Sequence, residues 1–207
     1  MHPYEDGVET LAPEPCAAAV RAVRTACPGI PISLSTSAAI EPDPGRRLEL
    51  VAGWSVLPEL VTVNQGEEGI AELCELLIRR GIGIEAGLLA LPDAEAFVRS
   101  GLASRCVRVL LEPLDADPHD AVTHAAAMED VLGRAGVTLP QVHHGDGLAS
   151  WAVNERALGR GHGIRTGIED TPVLPNGKHA PDNAALVRVA AAMISDQVHR
   201  SGAGAGN

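Results

Sequence analysis

With 207 residues, a net charge of −11 and only 2% aromatics, the chain is long enough for one sizeable core, which must be aliphatic. The acidic balance excludes a nucleic-acid footprint, which needs a basic stripe. No apolar run reaches the roughly 18 residues of a membrane span, and the start, MHPYEDG, has neither the basic nor the apolar region of a signal peptide.

In chain order, short β-rich runs alternate with stretches of helical period. Strands are predicted at Ile32–Ser35, Leu60–Asn64, Ile82–Glu85, Val107–Glu112, Gln141–His144 and Gly163–Ile168. Helices are predicted at Pro15–Ala26, Gly45–Leu57, Glu67–Arg80, Pro92–Ser100, Pro118–Arg134, Ala149–Arg160 and Ala184–Val198. Strict alternation predicts parallel strands joined by crossover helices. No composition break divides the chain, so one domain is expected over residues 1–200, followed by a disordered low-complexity tail, SGAGAGN, at 201–207. Cys16, Cys27, Cys74 and Cys106 are widely spaced and form no CxxC pair, as expected of reduced structural thiols in a cytoplasmic protein.

Polar residues collect where the strands end: Ser35-Thr36, Asn64-Gln65, Glu85, Glu112, His143-His144 with Asp146, and Arg165 with Glu169-Asp170. In a parallel barrel the catalytic groups gather at C-terminal strand ends. A doubly wound sheet concentrates them at one switch point, and no GxGxxG follows a strand here. The expected fold class is therefore α/β, a TIM (β/α)8-type barrel. Such a barrel takes eight strands and about 250 residues; this chain supplies about six parallel strands, two short of that number.

GHGIRTGIED, from Gly161 to Asp170, is the most informative segment. On a strand, Ile164, Thr166 and Ile168 share one face, and Gly163, Arg165, Gly167 and Glu169 share the other. Glycines with an arginine and a glutamate do not make a hydrophobic interior; they read as the lining of a reaction site. Residues four apart on a strand lie about 13 Å apart, so Arg165 and Glu169 share one site only if the chain curls after Gly167. Glu85 lies on the face of Gly83 and is expected to point inward, either for proton transfer or to pair with Arg165. Neighbours on a strand face opposite ways, so at most one of His143 and His144 reaches the mouth; His143 is assigned to the substrate pocket. His119 and His124 are expected at the surface, and His162 in a structural hydrogen bond.

GHGIRTGIED, a loop, and then APDNAALV together resemble the terminal signature of the β-keto acid cleavage enzymes, whose type member is the 3-keto-5-aminohexanoate cleavage enzyme of lysine fermentation. IEAGL at Ile84–Leu88, SLSTSAA at Ser33–Ala39 and the opening HPYEDGVETL are similar to further family segments, so the resemblance spans essentially the whole chain. The Arg-x-x-x-Glu-Asp motif in its glycine frame is the specific part; the others count through their order. The family's glycines after the Ser-Thr pair are replaced here by Ser37 and Ala38.

The resemblance implies a metal-dependent transferase of amino-acid catabolism, using zinc or another divalent ion. Its reaction condenses a β-keto acid with acetyl-CoA, giving acetoacetate and a new acyl-CoA. Glu169 is the implied metal ligand together with His2, which matches the second histidine of the family's His-x-His pair because DGVETL follows it. The first histidine and first strand would precede Met1, so the chain is expected to lack a βαβ unit of about 30 residues or more. Arg165 is the implied anion partner, Asp170 the implied base, and Ser35, Thr36 and Asn64 the implied donors to the substrate carboxylate. A homo-oligomer is expected. Two other classes compete: another metal-dependent barrel aldolase or hydrolase, and a non-catalytic remnant or binding protein. Zinc content and acetyl-CoA-dependent turnover separate the remnant from the enzymes.

Overall fold

Asp6 and Gly7 both take positive φ, 51° and 80°, and turn β1 (Tyr4–Glu5) back on β2 (Val8–Glu9) as an antiparallel pair. Asp-Gly is the dipeptide such a mirror-image turn favours; the strand–helix alternation does not predict this hairpin. The computed structural model describes residues 1–204.

The rest of the chain alternates as expected. In order come α1 (Pro13–Ala26), β3 (Ser33–Ser35), α2 (Pro44–Ala52), β4 (Leu60–Asn64), α3 (Ile70–Arg79), β5 (Gly83–Leu88), α4 (Leu91–Ser100) and β6 (Arg108–Leu111). They are followed by α5 (Pro118–Arg134), β7 (Gln141–His143), α6 (Ser150–Gly159), β8 (Gly163–Ile164) and α7 (Asn183–Gly204). The main sheet has the order β3-β4-β5-β6-β7-β8, six parallel strands with flanking helices, the arrangement of a truncated TIM-type α/β fold. The last strand is shorter than predicted, ending at Ile164. α7 runs to Gly204, so the expected tail begins inside a helix; its last three residues, 205–207, lie outside the described residues.

Contacts gather into two compact units, residues 1–87 with 95–109 and residues 88–94 with 110–207. In the first, alternation sets the burial. Leu34, Val61, Val63 and Ile84 are fully buried, while Ser33, Ser35, Thr62 and Asn64 on the opposite strand faces are half-buried. The register places Ser35 beside Thr62, and Thr62 beside Glu85. Helix starts are encoded locally. Pro44 follows Asp43, whose carboxylate accepts from Arg46 N at 2.6 Å, a side-chain cap with proline at the first helical position.

In the second unit, Asp117 caps α5 by accepting from His119 N at 2.8 Å. Small residues let α5 and α6 pack closely: Ala121, Ala125, Ala149 and Val153 form one buried cluster. Trp151, Leu186 and Ala190 form another, with Ile164 against it. A nearly buried carboxylate, Glu129, ties these elements together. It accepts from Arg156 at 2.5 Å and Arg160 at 2.9 Å, and meets His162 Nε2 at 3.1 Å, the structural role expected of that histidine. Burial raises its pKa, but Arg160, His162 and Arg156 outweigh that and hold it down to about 2.

A depressed carboxylate stabilises the fold above its ordinary range near 4.5 and loses that contribution as pH falls toward about 2. We expect Glu129→Gln to cost about 2 kcal/mol at pH 7. In urea titrations the gap to wild type should narrow as the pH drops below 4.5. A gap that stays constant down to the lowest folded pH contradicts this role.

Candidate active site

The segment after β8 brings the Arg-x-x-x-Glu-Asp motif together. Arg165 still follows the sheet, its N–H donating to His143 O at 3.1 Å. The chain then turns: Asp170 N and Thr171 N both donate to Gly167 O at 3.0 Å. This is the curl that Arg165 and Glu169 need in order to meet. Arg165 Nη2 donates to Glu169 Oε1 at 3.0 Å and to Asp170 Oδ1 at 2.8 Å. The turn is pinned from outside, since Gly147 N donates to Asp170 O at 2.8 Å and Ile168 N to Asn183 Oδ1 at 3.0 Å. The inward parity expected of Glu169 does not apply, because it sits on the turn with its side chain 55% exposed. Asp170, by contrast, is buried.

Two further groups complete this cluster. His144 is buried, with Nε2 3.2 Å from Glu112 Oε2 and Nδ1 3.3 Å from Asp170 Oδ1. These are ion pairs by distance without the alignment of hydrogen bonds. Burial pushes its pKa down, but Asp170 and Glu112 outweigh that and lift it to about 9. Burial also opposes the charge on Arg165, and Asp170, Glu112 and Glu169 raise its pKa in compensation. The result is two fixed cations among three carboxylates.

His143 goes elsewhere. Its imidazole is fully buried, stacked on His162 at 4.8 Å with Nε2 3.0 Å from Gln141 Oε1. That position corrects its assignment to the substrate pocket: alternation sends His143 into the interior and His144 toward the carboxylates. Burial first, then His162 and Arg156, hold its pKa down to about 3.

In the first unit Glu85 is buried and bonded. Thr62 Oγ1 donates to it at 2.7 Å, and Arg108 pairs with it. The charge partner of Glu85 is thus Arg108, not the expected Arg165. Thr62 and Arg108 are not among the residues that the sequence singles out. The Thr36 hydroxyl donates to Thr62 O at 2.9 Å, so its one proton is spent on the backbone. Ser35 Oγ accepts from Ser37 N at 3.4 Å and keeps its own proton to donate. Asn64 Nδ2 donates to Glu67 Oε1 at 2.9 Å, and a Cβ at Gly87 would lie 2.4 Å from Asn64 Oδ1, which is why a glycine stands there.

His2 Nδ1 lies 3.0 Å from Glu9 Oε2. Among the described residues no group of three or more His, Cys, Asp or Glu side chains is arranged to hold a metal ion. A catalytic zinc takes three protein ligands. The implied pair His2 and Glu169 supplies two. The donors present do not fit a complete metal site. Burial raises the thiols of Cys16, Cys74 and Cys106 to about 11, 12 and 11, which keeps them protonated.

Residues 95–203 match the beta-keto acid cleavage enzyme family. Among solved structures, the ternary complex of ObcA with a C4-CoA adduct and oxalate is similar, at 17% identity and a TM-score of 0.67. The match covers 93% of this chain and 54% of that one, so this chain spans about half the length of the structure it resembles. That likeness is one of fold. No curated protein matches the chain in sequence.

Two outcomes follow from this geometry. Zinc should bind the chain weakly and be largely lost on gel filtration; one tightly held zinc per chain contradicts the ligand count. His143 refuses a proton down to about pH 3, whereas the unfolded chain takes it near 6.5, so acidification across that window favours unfolding. His143→Gln should therefore flatten the fall in urea midpoint between pH 6.5 and 3. Parallel slopes for variant and wild type count against a neutral buried His143.

Proposed function

The chain belongs to the beta-keto acid cleavage enzyme family, and from that premise we propose that it condenses a β-keto acid with acetyl-CoA. The products are acetoacetate and a new acyl-CoA: the keto acid's C2–carboxylate half joins the acetyl group, and the remaining acyl group leaves on the CoA sulfur. The observation that carries this reading is Arg165 forked between Glu169 and the buried Asp170. A guanidinium fixed by two carboxylates is preorganised to meet the anion of a β-keto acid or the oxyanion formed from its carbonyl. Asp170 stands beside it as the base that takes the proton at C2.

Ser35 and Asn64 are proposed to hydrogen-bond the substrate carboxylate, and Glu85 to transfer a proton. Thr36 contributes through position alone, since its hydroxyl proton is committed. The family is generally metal-dependent; Glu169 and His2 remain the proposed ligands of a divalent ion, one short of the three protein ligands a catalytic zinc takes. Turnover by this chain is expected to be slow, in line with its two donors. A second copy of the chain as an oligomer partner and a cytoplasmic setting, which suits four free cysteines, complete the proposal.

The test is acetyl-CoA-dependent formation of acetoacetate with zinc supplied. Asp170→Asn should reduce kcat by about a hundredfold or more, and Arg165→Met should raise KM for the keto acid by about tenfold or more. A folded Asp170→Asn chain that turns over like wild type sinks the assignment of the base.

A further inference from the structure

His144 has no role in the reaction as set out above, yet its surroundings are built around it. Its ring is buried between two carboxylates from different elements, Glu112 at the end of β6 and Asp170 on the turn after β8. A neutral imidazole carries one N–H and one lone pair. It cannot offer a proton to carboxylates on both sides, and its lone pair would face one of them. With a carboxylate within 3.3 Å of each ring nitrogen, these surroundings favour the doubly protonated ring.

The contacts of Asp170 are just as directional. Arg165 Nη2 at 2.8 Å and His144 Nδ1 at 3.3 Å both address Oδ1. The hydrogen bond from Arg165 and the nearest approach of His144 thus fall on the same oxygen. A carboxylate held by one oxygen between two cations has its rotation fixed and presents the other oxygen in a set direction.

We propose that His144 is a positioning residue for Asp170: anchored from behind by Glu112, it and Arg165 clamp Oδ1, so that Oδ2 is the oxygen that accepts the substrate proton. The assignment of that proton rests on the β-keto acid reading; the clamp itself does not. Three charged groups face the His144 ring, Asp170 and Glu112 in favour of its charge and Arg165 against it. Its strand neighbour His143 is neutral and turned to the interior. The balance of these neighbours agrees with the pKa of about 9.

Ring ¹⁵N shifts of histidine-labelled protein test the clamp without any turnover. In wild type, both ring nitrogens of His144 should be protonated at pH 7 and lose a proton near 9. Asp170→Asn and Glu112→Gln should each bring that midpoint down by about one pH unit or more, as loss of a neighbouring opposite charge does. A neutral His144 at pH 7, or a midpoint that Asp170→Asn leaves in place, overturns the proposal. In the kinetic arm, His144→Gln should lower kcat by about tenfold to a hundredfold while KM for the keto acid stays within about twofold. An unchanged kcat in a folded His144→Gln chain also overturns it. If wild type turns over no β-keto acid, the functional reading fails, and the ¹⁵N midpoints still decide whether His144 clamps Asp170.

Discussion

Arg165 is a cation that the fold half-buries and cannot neutralise, so carboxylates must be brought to it. That requirement shapes the end of the chain. The strand stops after Ile164, the backbone turns over Gly167, and Glu169 and Asp170 arrive on one guanidinium instead of alternating across a sheet. Placing Asp170 there creates the pocket of negative charge in which His144 becomes a cation, and His144 in turn draws in Glu112. Each buried charge is tolerable only because the next one is present. Removing one partner is therefore expected to cost more than the pair contributes when whole.

Elsewhere the same physics is solved differently. His143, one residue before His144, is held neutral by burial, with His162 and Arg156 adding to that effect against the opposing pull of Glu129. Two adjacent imidazoles thus sit in opposite charge states because a strand sends them to opposite environments. Glu129 is held ionised by two arginines and a histidine that belong to α6 and the loop after it. In the first unit Arg47 is buried and donates to Glu67 at 3.1 Å, while Glu67 also accepts from Asn64 and Ser37. The loops after β3 and β4 are joined through that one carboxylate, which is how residues near the candidate donors Ser35 and Asn64 are kept in register.

Much of this was legible in the sequence. The alternation of strands and helices gave the parallel order, since period-two and period-3.6 patterns separate cleanly where apolar residues are dense. Arg165 stood out as a charge in a glycine frame, whereas the role of Asp170 was implied by the resemblance to the family alone. The choice between His143 and His144 was not legible. Parity says only that they differ, and which faces inward depends on where the strand begins, a boundary that periodicity locates poorly. Arg108 as the partner of Glu85 was hidden for a related reason: a long arginine reads as surface until the packing around Glu85 is known. The Tyr4–Glu9 hairpin was missed because two-residue strands carry too few positions for any periodicity, although Asp6-Gly7 was a turn signal in plain view.

The central claim is that this chain moves an acyl group between carbon and sulfur, with the cluster around Arg165 handling the keto acid. Isotope tracing tests it most directly. Unlabelled β-keto acid is incubated with acetyl-CoA carrying ¹³C in its acetyl group, and both products are read by mass spectrometry and NMR. The account predicts that the label appears in the acetyl half of acetoacetate and is absent from the newly formed acyl-CoA. Labelled acetate released by hydrolysis, or label carried into the new acyl-CoA, would contradict it.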